Sequence, residues 1–331
     1  MRYRRFGRTG WNVSEIGYGM WGMAGWTGSE DTESLASLQR AVDLGCNFFD
    51  TAWAYGDGHS EELLGKILRA NKNNTAVGGP DKKLYVATKV PPKNRRWPAR
   101  PEDSLDDCYP PDYIFEYVDR SLKNIGIETL DLIQLHTWED RWPEDERVLR
   151  AAEKLRASGK VRAFGLSLNR WQPANGIRAV RAGFVDAVQV IYNIFDQNPE
   201  DELSPACREK DVAVIARCPF DEGGLTGTLT PQTTWPKGDW RNGYFNPENL
   251  KATVARADAI KPLIQAGMTM PEMALRFILN NSDVGTIIPG MRKRHHVETN
   301  LAASGKGPLP ALIHTQLRPH RWDRTPTKWS Q

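Results

Sequence analysis

Short apolar runs alternate with longer stretches of helical period along almost the whole chain. A hairpin is predicted first, Tyr3 to Phe6 against Val13 to Ile16, turning at Thr9-Gly10. Strand-like runs follow at about Ile16 to Gly19, Cys46 to Asp50, Leu84 to Lys89, Leu132 to His136, Val161 to Leu168, Ala187 to Tyr192, Val212 to Ala216 and Val284 to Ile288. Helical stretches fall at about Asp31 to Leu44, Ser60 to Arg69, Asp112 to Asn124, Asp145 to Ser158, Gln172 to Ala182 and Pro205 to Lys210. In the third, Ile114, Tyr117, Val118, Ser121, Leu122 and Ile125 recur at i, i+3, i+4, i+7, i+8 and i+11, one face turned toward a sheet. Alternation of this kind predicts an α/β chain, a (β/α)8 TIM barrel rather than an open sheet. No composition shift marks a boundary, so residues 1–331 are read as one domain with a tail at 308–331.

Two connections are too long for plain turns: Pro91 to Pro111, and Phe220 to Asn249. Both follow strands, so both are expected at the C-terminal face of the barrel as lids or binding loops. The segment Asn71 to Lys83 follows a helix and belongs to the opposite face, where no function is assigned to it. The tail from Pro308 carries Arg318, Arg321, Arg324 and Lys328 with Trp322 and Trp329; folding back over a barrel end and disorder of its last residues both stay open.

Bulk composition narrows the function classes. Lys and Arg number 44 against 41 acids, a net charge of +3 over 331 residues, so no basic field argues for nucleic acid or an anionic membrane. The four cysteines, Cys46, Cys108, Cys207 and Cys218, form no C-x-x-C pair, which fits a reducing compartment and gives no reason to expect a metal. The start of the chain has no apolar signal region and no segment has the roughly 20 apolar residues of a membrane span. A cytoplasmic protein with small-molecule partners is expected; oligomeric state is not legible.

Candidate chemistry gathers at strand ends. Asp50, Lys89 and His136 close three successive apolar runs, and Tyr55 lies five positions after Asp50. Strands of an α/β barrel present functional groups at that end. Any one of the four could be a turn former, a solvated lysine, loop packing or a core histidine; their joint placement is harder to assign to chance. Together they can protonate a carbonyl oxygen while a hydride reaches its carbon. A phenol is an acid at neutral pH, a nearby ammonium stabilises the phenolate, Asp50 would pair with Lys89, and His136 would orient the substrate oxygen. No metal is needed.

The chain here resembles the aldo-keto reductases. The resemblance rests on Asn47-Phe48-Phe49-Asp50-Thr51-Ala52-x-x-Tyr55-Gly56, Thr88-Lys89, Ser121-Leu122-x-x-x-Gly126 running to Asp131-Leu132-x-x-x-x-His136, Gly159-Lys160-Val161-Arg162-x-x-Gly165-x-Ser167, Gln189-x-x-Tyr192-Asn193, Gly224-Leu225-Thr226-Gly227 and Ile288-Pro289-Gly290-x-Arg292 with Asn300. It implies a reductase using NAD(P)H, with Tyr55 as acid/base and Asp50, Lys89 and His136 completing a tetrad. It also implies that Ser167, Asn169 and Gln189 hold the nicotinamide carboxamide, that Tyr192 stacks on the ring, and that Gly224, Leu225, Gly227 and Gly290 lie along the cofactor. Gln189 and Tyr192 are three apart on one strand, so they face opposite ways unless Tyr192 lies past its end. Leu168 separates Ser167 from Asn169, and Thr299 stands where the family often has Glu before Asn300.

Arg292, Lys293, Arg294, His295 and His296 cluster at the predicted start of the last helix, where the dipole disfavours cations and a bound phosphate would resolve the conflict. The resemblance puts the adenosine 2′-phosphate there, with Arg292 and His296 nearest and Asn300 by the adenine, so NADPH is preferred over NADH. A rival motif, Gly17-x-Gly19-x-x-Gly22, fits the open-sheet dinucleotide fingerprint, but no helical signal follows it before Asp31. It is read as the first barrel strand and its loop. Of the twelve tryptophans, Trp21, Trp26, Trp53, Trp97, Trp138 and Trp142 fall in loops after the first four strands. Trp21, Trp53 and Trp138 are predicted substrate walls. The leading expectation is NADPH-dependent carbonyl reduction; alternatives are a cofactor-binding regulatory subunit with little turnover and an NAD-dependent sugar or polyol dehydrogenase.

Overall fold

A two-stranded antiparallel ribbon and an eight-stranded parallel sheet hold the strands of the computed structural model, which describes residues 1–24 and 29–325. The ribbon pairs β1 (Tyr3–Phe6) with β2 (Trp11–Ser14), Tyr3 opposite Ser14 and Phe6 opposite Trp11. The sheet runs in chain order through β3 (Tyr18–Gly19), β4 (Phe48–Asp50), β5 (Tyr85–Val90), β6 (Leu130–Leu135), β7 (Val161–Ser167), β8 (Ala187–Ile191), β9 (Ala213–Arg217) and β10 (Val284–Ile287). Bridges from Ile16 to Ile287 and from Gly19 to Gly290 join its two edges and close the barrel. The expected (β/α)8 architecture and hairpin are therefore present.

Helices cover the outside: α1 (Asp31–Asp43), α2 (His59–Asn71), α3 (Leu105–Cys108), α4 (Pro111–Ile125), α5 (Glu146–Ala157), α6 (Ile177–Ala182) and α7 (Leu203–Glu209). After β9 come α8 (Arg241–Tyr244), α9 (Pro247–Ile260) and α10 (Met270–Leu279); after β10 come α11 (Arg294–Lys306) and α12 (Ala311–Leu317). The α4 face predicted from its spacing is the buried one, and Gly126 ends that helix in the left-handed conformation at φ +77°. The helix predicted from Gln172 begins only at Ile177, because Pro173 and Gly176 break the preceding turn. Helices α9 and α10 lay outside the expected elements, although each starts with a cap legible in sequence: Asn246 Oδ1 accepts from Asn249 N at 3.0 Å, and Thr269 Oγ1 from Glu272 N at 3.3 Å.

Two-residue periodicity along the strands sorts side chains between the barrel interior and the outer layer. Phe48, Tyr85, Ala87, Leu132, Ala163, Ala187, Ala213 and Ile215 form one apolar cluster with Phe6 and Val13 of the ribbon, so the hairpin plugs the barrel floor. Phe6 meets Phe48 at 5.2 Å and Trp11 stacks on Tyr85 at 5.0 Å between ring centroids. Above this floor the same inward positions turn polar, with Asp50, Lys89, Gln134 and Gln189 all buried. The tail after α12 crosses the C-terminal end of the barrel: Trp322 N donates to Phe195 O at 2.7 Å, and buried Arg324 pairs with Asp196 and Asp221. Lys328 and Trp329 lie outside the described residues, as does Trp26.

The three glycines of the rival motif have packing reasons. A Cβ on Gly17 would come within 2.9 Å of Phe48 O, one on Gly19 within 2.6 Å of Ile288 O, and one on Gly22 within 2.8 Å of Arg292 Cδ. They allow the barrel seam to close, and among the described residues only a single 3-10 turn, Trp21–Met23, lies between β3 and α1.

Candidate active site

The polar layer is organised around Lys89. Its ammonium donates to Asp50 Oδ1 at 2.5 Å, Thr51 O at 2.7 Å and Tyr55 Oη at 3.4 Å. Asp50 in turn accepts at Oδ2 from Gln189 Nε2 at 2.8 Å and Gln134 Nε2 at 3.1 Å. Burial alone would drive the lysine pKa down, but Asp50 and Tyr55 outweigh it and hold the group above its ordinary value, so it stays charged. Burial pushes the Tyr55 phenol up, opposed by the Lys89 charge, so the hydroxyl carries its proton at neutral pH. His136 follows β6, fixed by its N–H to Val90 O at 3.0 Å, with its ring 5.6 Å from that of Tyr55 and nearly perpendicular. Burial, Lys89 and Arg217 depress its pKa far below the usual histidine value, which keeps the imidazole neutral. Its buried Nδ1 has no partner among the described residues.

Asp50, Tyr55 and His136 open onto one cavity of about 690 Å³ at the C-terminal end of the barrel. Ser167, Asn169 and Gln189 line it beside them, and it continues to Gly290, Arg292 and His296. Two-residue spacing puts Ser167 and Asn169 on the same side despite Leu168, which is buried in the outer core. A single cleft thus runs from the phenol to the basic start of α11, where burial and the neighbouring His295, Lys293 and Arg292 hold His296 below its ordinary pKa. A phenol, hydrogen-bonding hydroxyl and amide side chains, and a basic end in one cleft have the chemistry to take an extended dinucleotide with anionic groups.

Several predicted contacts are elsewhere. Tyr192 is buried on the outer side of the barrel, its hydroxyl on Glu200 and its ring 6.2 Å from Phe277, because the odd spacing from Gln189 turns it outward. It cannot stack on a ligand in the cavity. Gly224 and Leu225 are buried behind the wall, whose exposed face is Glu222, Gly223 and Thr226, and Gly227 and Asn300 are likewise absent from the lining. Of the predicted substrate walls, Trp21 lines the cavity; Trp138 and Trp53 do not. Trp138 is fully buried against Trp142 and Phe184, with Nε1 donating to Asp140 at 3.0 Å. Trp53 packs on Tyr117 beneath Arg95 and Arg120. The rim is instead Trp21, Trp97 and Trp240, each more than a third exposed, with Phe220 and Tyr244 deeper. Gln134, Arg170, Arg217, Glu222 and Trp240 were not singled out from sequence. Gln134 and Arg217 had a signal, since both continue an inward alternation (Leu132-x-Gln134; Ala213-x-Ile215-x-Arg217).

The sequence model of the Aldo/keto reductase family matches residues 15–319. The chain belongs to the aldo/keto reductase family. Among curated members, aldo-keto reductase yakc (NADP(+)) of Schizosaccharomyces pombe is 32% identical over 88% of this chain and 84% of its own. The NADH-specific methylglyoxal reductase of Escherichia coli is 29% identical over 90% and 91%. The structure of the glycerol dehydrogenase AKR11B4 from Gluconobacter oxydans, 28% identical, superposes with a TM-score of 0.76 over 96% of this chain and 94% of that one. As a member of this aldo/keto reductase family the protein is an NAD(P)H-dependent oxidoreductase. No helix among the described residues is long and apolar enough to cross a membrane, and no group of three or more His, Cys, Asp or Glu among them is arranged to hold a metal ion.

Proposed function

We propose that this aldo/keto reductase reduces aldehydes and ketones to alcohols with NADPH, reversibly, with Tyr55 as the proton donor. The observation that carries the reading is the hydrogen bond from Lys89 to the Tyr55 hydroxyl inside a closed Lys89–Asp50 pair, at the floor of an aromatic-rimmed cavity. A carbonyl oxygen placed against Tyr55 and neutral His136 receives the phenolic proton as it gains charge, and Lys89 stabilises the phenolate left behind. NADPH, when bound, supplies the hydride to the carbonyl carbon. Ser167, Asn169 and Gln189 hold the amide end of the cofactor; Arg292 and His296 meet its 2′-phosphate. The cytoplasm is the proposed compartment.

An oxidative sugar or polyol dehydrogenase is the second reading, favoured by the likeness to the Gluconobacter glycerol dehydrogenase. NADPH oxidation by purified protein over a panel of aldehydes, ketones and quinones, beside Tyr55→Phe, decides. We expect turnover to fall by about 10²–10⁴ in the variant while NADPH still binds. Tight binding with no turnover on any compound would move the assignment to a regulatory subunit; faster alcohol oxidation with NAD+ would favour the dehydrogenase.

A further inference from the structure

Resting on the reductase reading, we propose that Arg217 anchors an anionic substituent of the substrate, so that the preferred carbonyls carry a carboxylate a few bonds from the reacting carbon. Arg217 is the last residue of β9 and points inward into the cavity wall. The neighbouring cavity arginines already have counter-ions: Arg170 pairs with Glu222, and Arg241 with Asp239 at 2.6 Å. Arg217 does not. Its Nη2 donates to the backbone oxygen of Leu168 at 2.9 Å, its Nη1 faces the weakly accepting sulfur of Cys218 at 3.7 Å, and its buried Nε has no partner. Among the described residues no carboxylate lies within ion-pairing distance of it.

A half-buried guanidinium without a carboxylate is costly unless a ligand completes it, and the planar fork of Arg suits a carboxylate. The location fits the reaction centre. Arg217 lines the same cavity as Tyr55 and His136, and its charge reaches both, so an anion bound there shares the cleft with the carbonyl those two groups would address. The cofactor's own phosphates are the competing anion, and the test separates the two.

The experiment compares kcat/KM for 4-formylbenzoate with 4-methylbenzaldehyde, and for succinic semialdehyde with pentanal, at saturating NADPH, in the natural protein, Arg217→Met and Arg217→Lys. NADPH affinity is measured alongside by fluorescence. We expect an anionic-over-neutral preference in at least one pair that drops about tenfold or more in Arg217→Met and less in Arg217→Lys. An identical ratio in all three proteins overturns the proposal. Weakened NADPH binding with the ratio intact assigns Arg217 to the cofactor instead. If no aldehyde turns over, the reductase reading has failed, and calorimetric binding of 4-formylbenzoate against 4-methylbenzaldehyde to the NADPH-loaded proteins still tests Arg217 by the same ratio.

Discussion

Lys89 has no donor to spare: its three N–H bonds go to a carboxylate, a carbonyl and the phenol. That saturation makes it a stability element as well as a member of the proposed tetrad. Lys89→Met leaves the buried Asp50 carboxylate with only two amide partners, and we expect a loss of about 3–5 kcal/mol in urea denaturation. Adding Asp50→Asn should restore most of that stability and none of the turnover. Of the proposed tetrad, Asp50, Lys89 and His136 were brought together by position, each at or next to a strand end where alternation fixes which way a side chain faces, whereas Tyr55, in the turns after β4, was picked out by its company rather than by strand position. Trp138 was misread because the chain leaves β6 at Leu135, after which alternate residues no longer share a face, and the indole turns into the core. Arg217 was overlooked for the opposite reason: its strand was cut short at Ala216, one residue before the functional one.

Among the elements, α11 carries the sharpest electrostatic conflict. Lys293 caps it, Arg294, His295 and His296 follow, and no acid occupies its first turn. An isolated helix would favour anions there, so the arrangement asks for a bound one. Arg292→Ala should weaken NADP+ binding by roughly ten- to a hundredfold with little effect on NAD+, the worth of a charge-assisted contact; equal losses for both would remove the phosphate from this site. The same conflict was readable in the run of cations. Helices α9 and α10 were not: the insert read as loop ended at Asn249, and the stretch from there to Val284 was given no element despite the capping signals at Asn246 and Thr269.

On the scale of the molecule, the tail belongs to the architecture of the site. Arg324 binds Asp196 from the segment after β8 and Asp221 from the segment after β9, with its guanidinium between Trp171 and Trp322. Asp221 adjoins Glu222 and Phe220 of the cavity wall. Arg324→Met strands two buried carboxylates, and we expect about 3–5 kcal/mol of destabilisation by thermal or urea melting, with a raised KM from the loosened wall. Unchanged melting would mean that the tail is only draped over the barrel. Sequence alone left its course open, since charge and tryptophan content do not say which distant acids they will meet.

The barrel seam has a consequence for how the protein is made. Gly17 N donates to Ile287 O and Ile287 N to Glu15 O, so the strand that completes the first one lies some 270 residues further along. On the ribosome, Asp50, Tyr55 and Lys89 emerge early, yet the ring that fixes them cannot close until Val284–Ile287 is out. For most of translation the nascent chain carries an unpaired strand at each side of a growing sheet, open to pairing with neighbouring polypeptides. The period in which those edges stand open therefore lies in synthesis, and ends when a four-residue strand slots home.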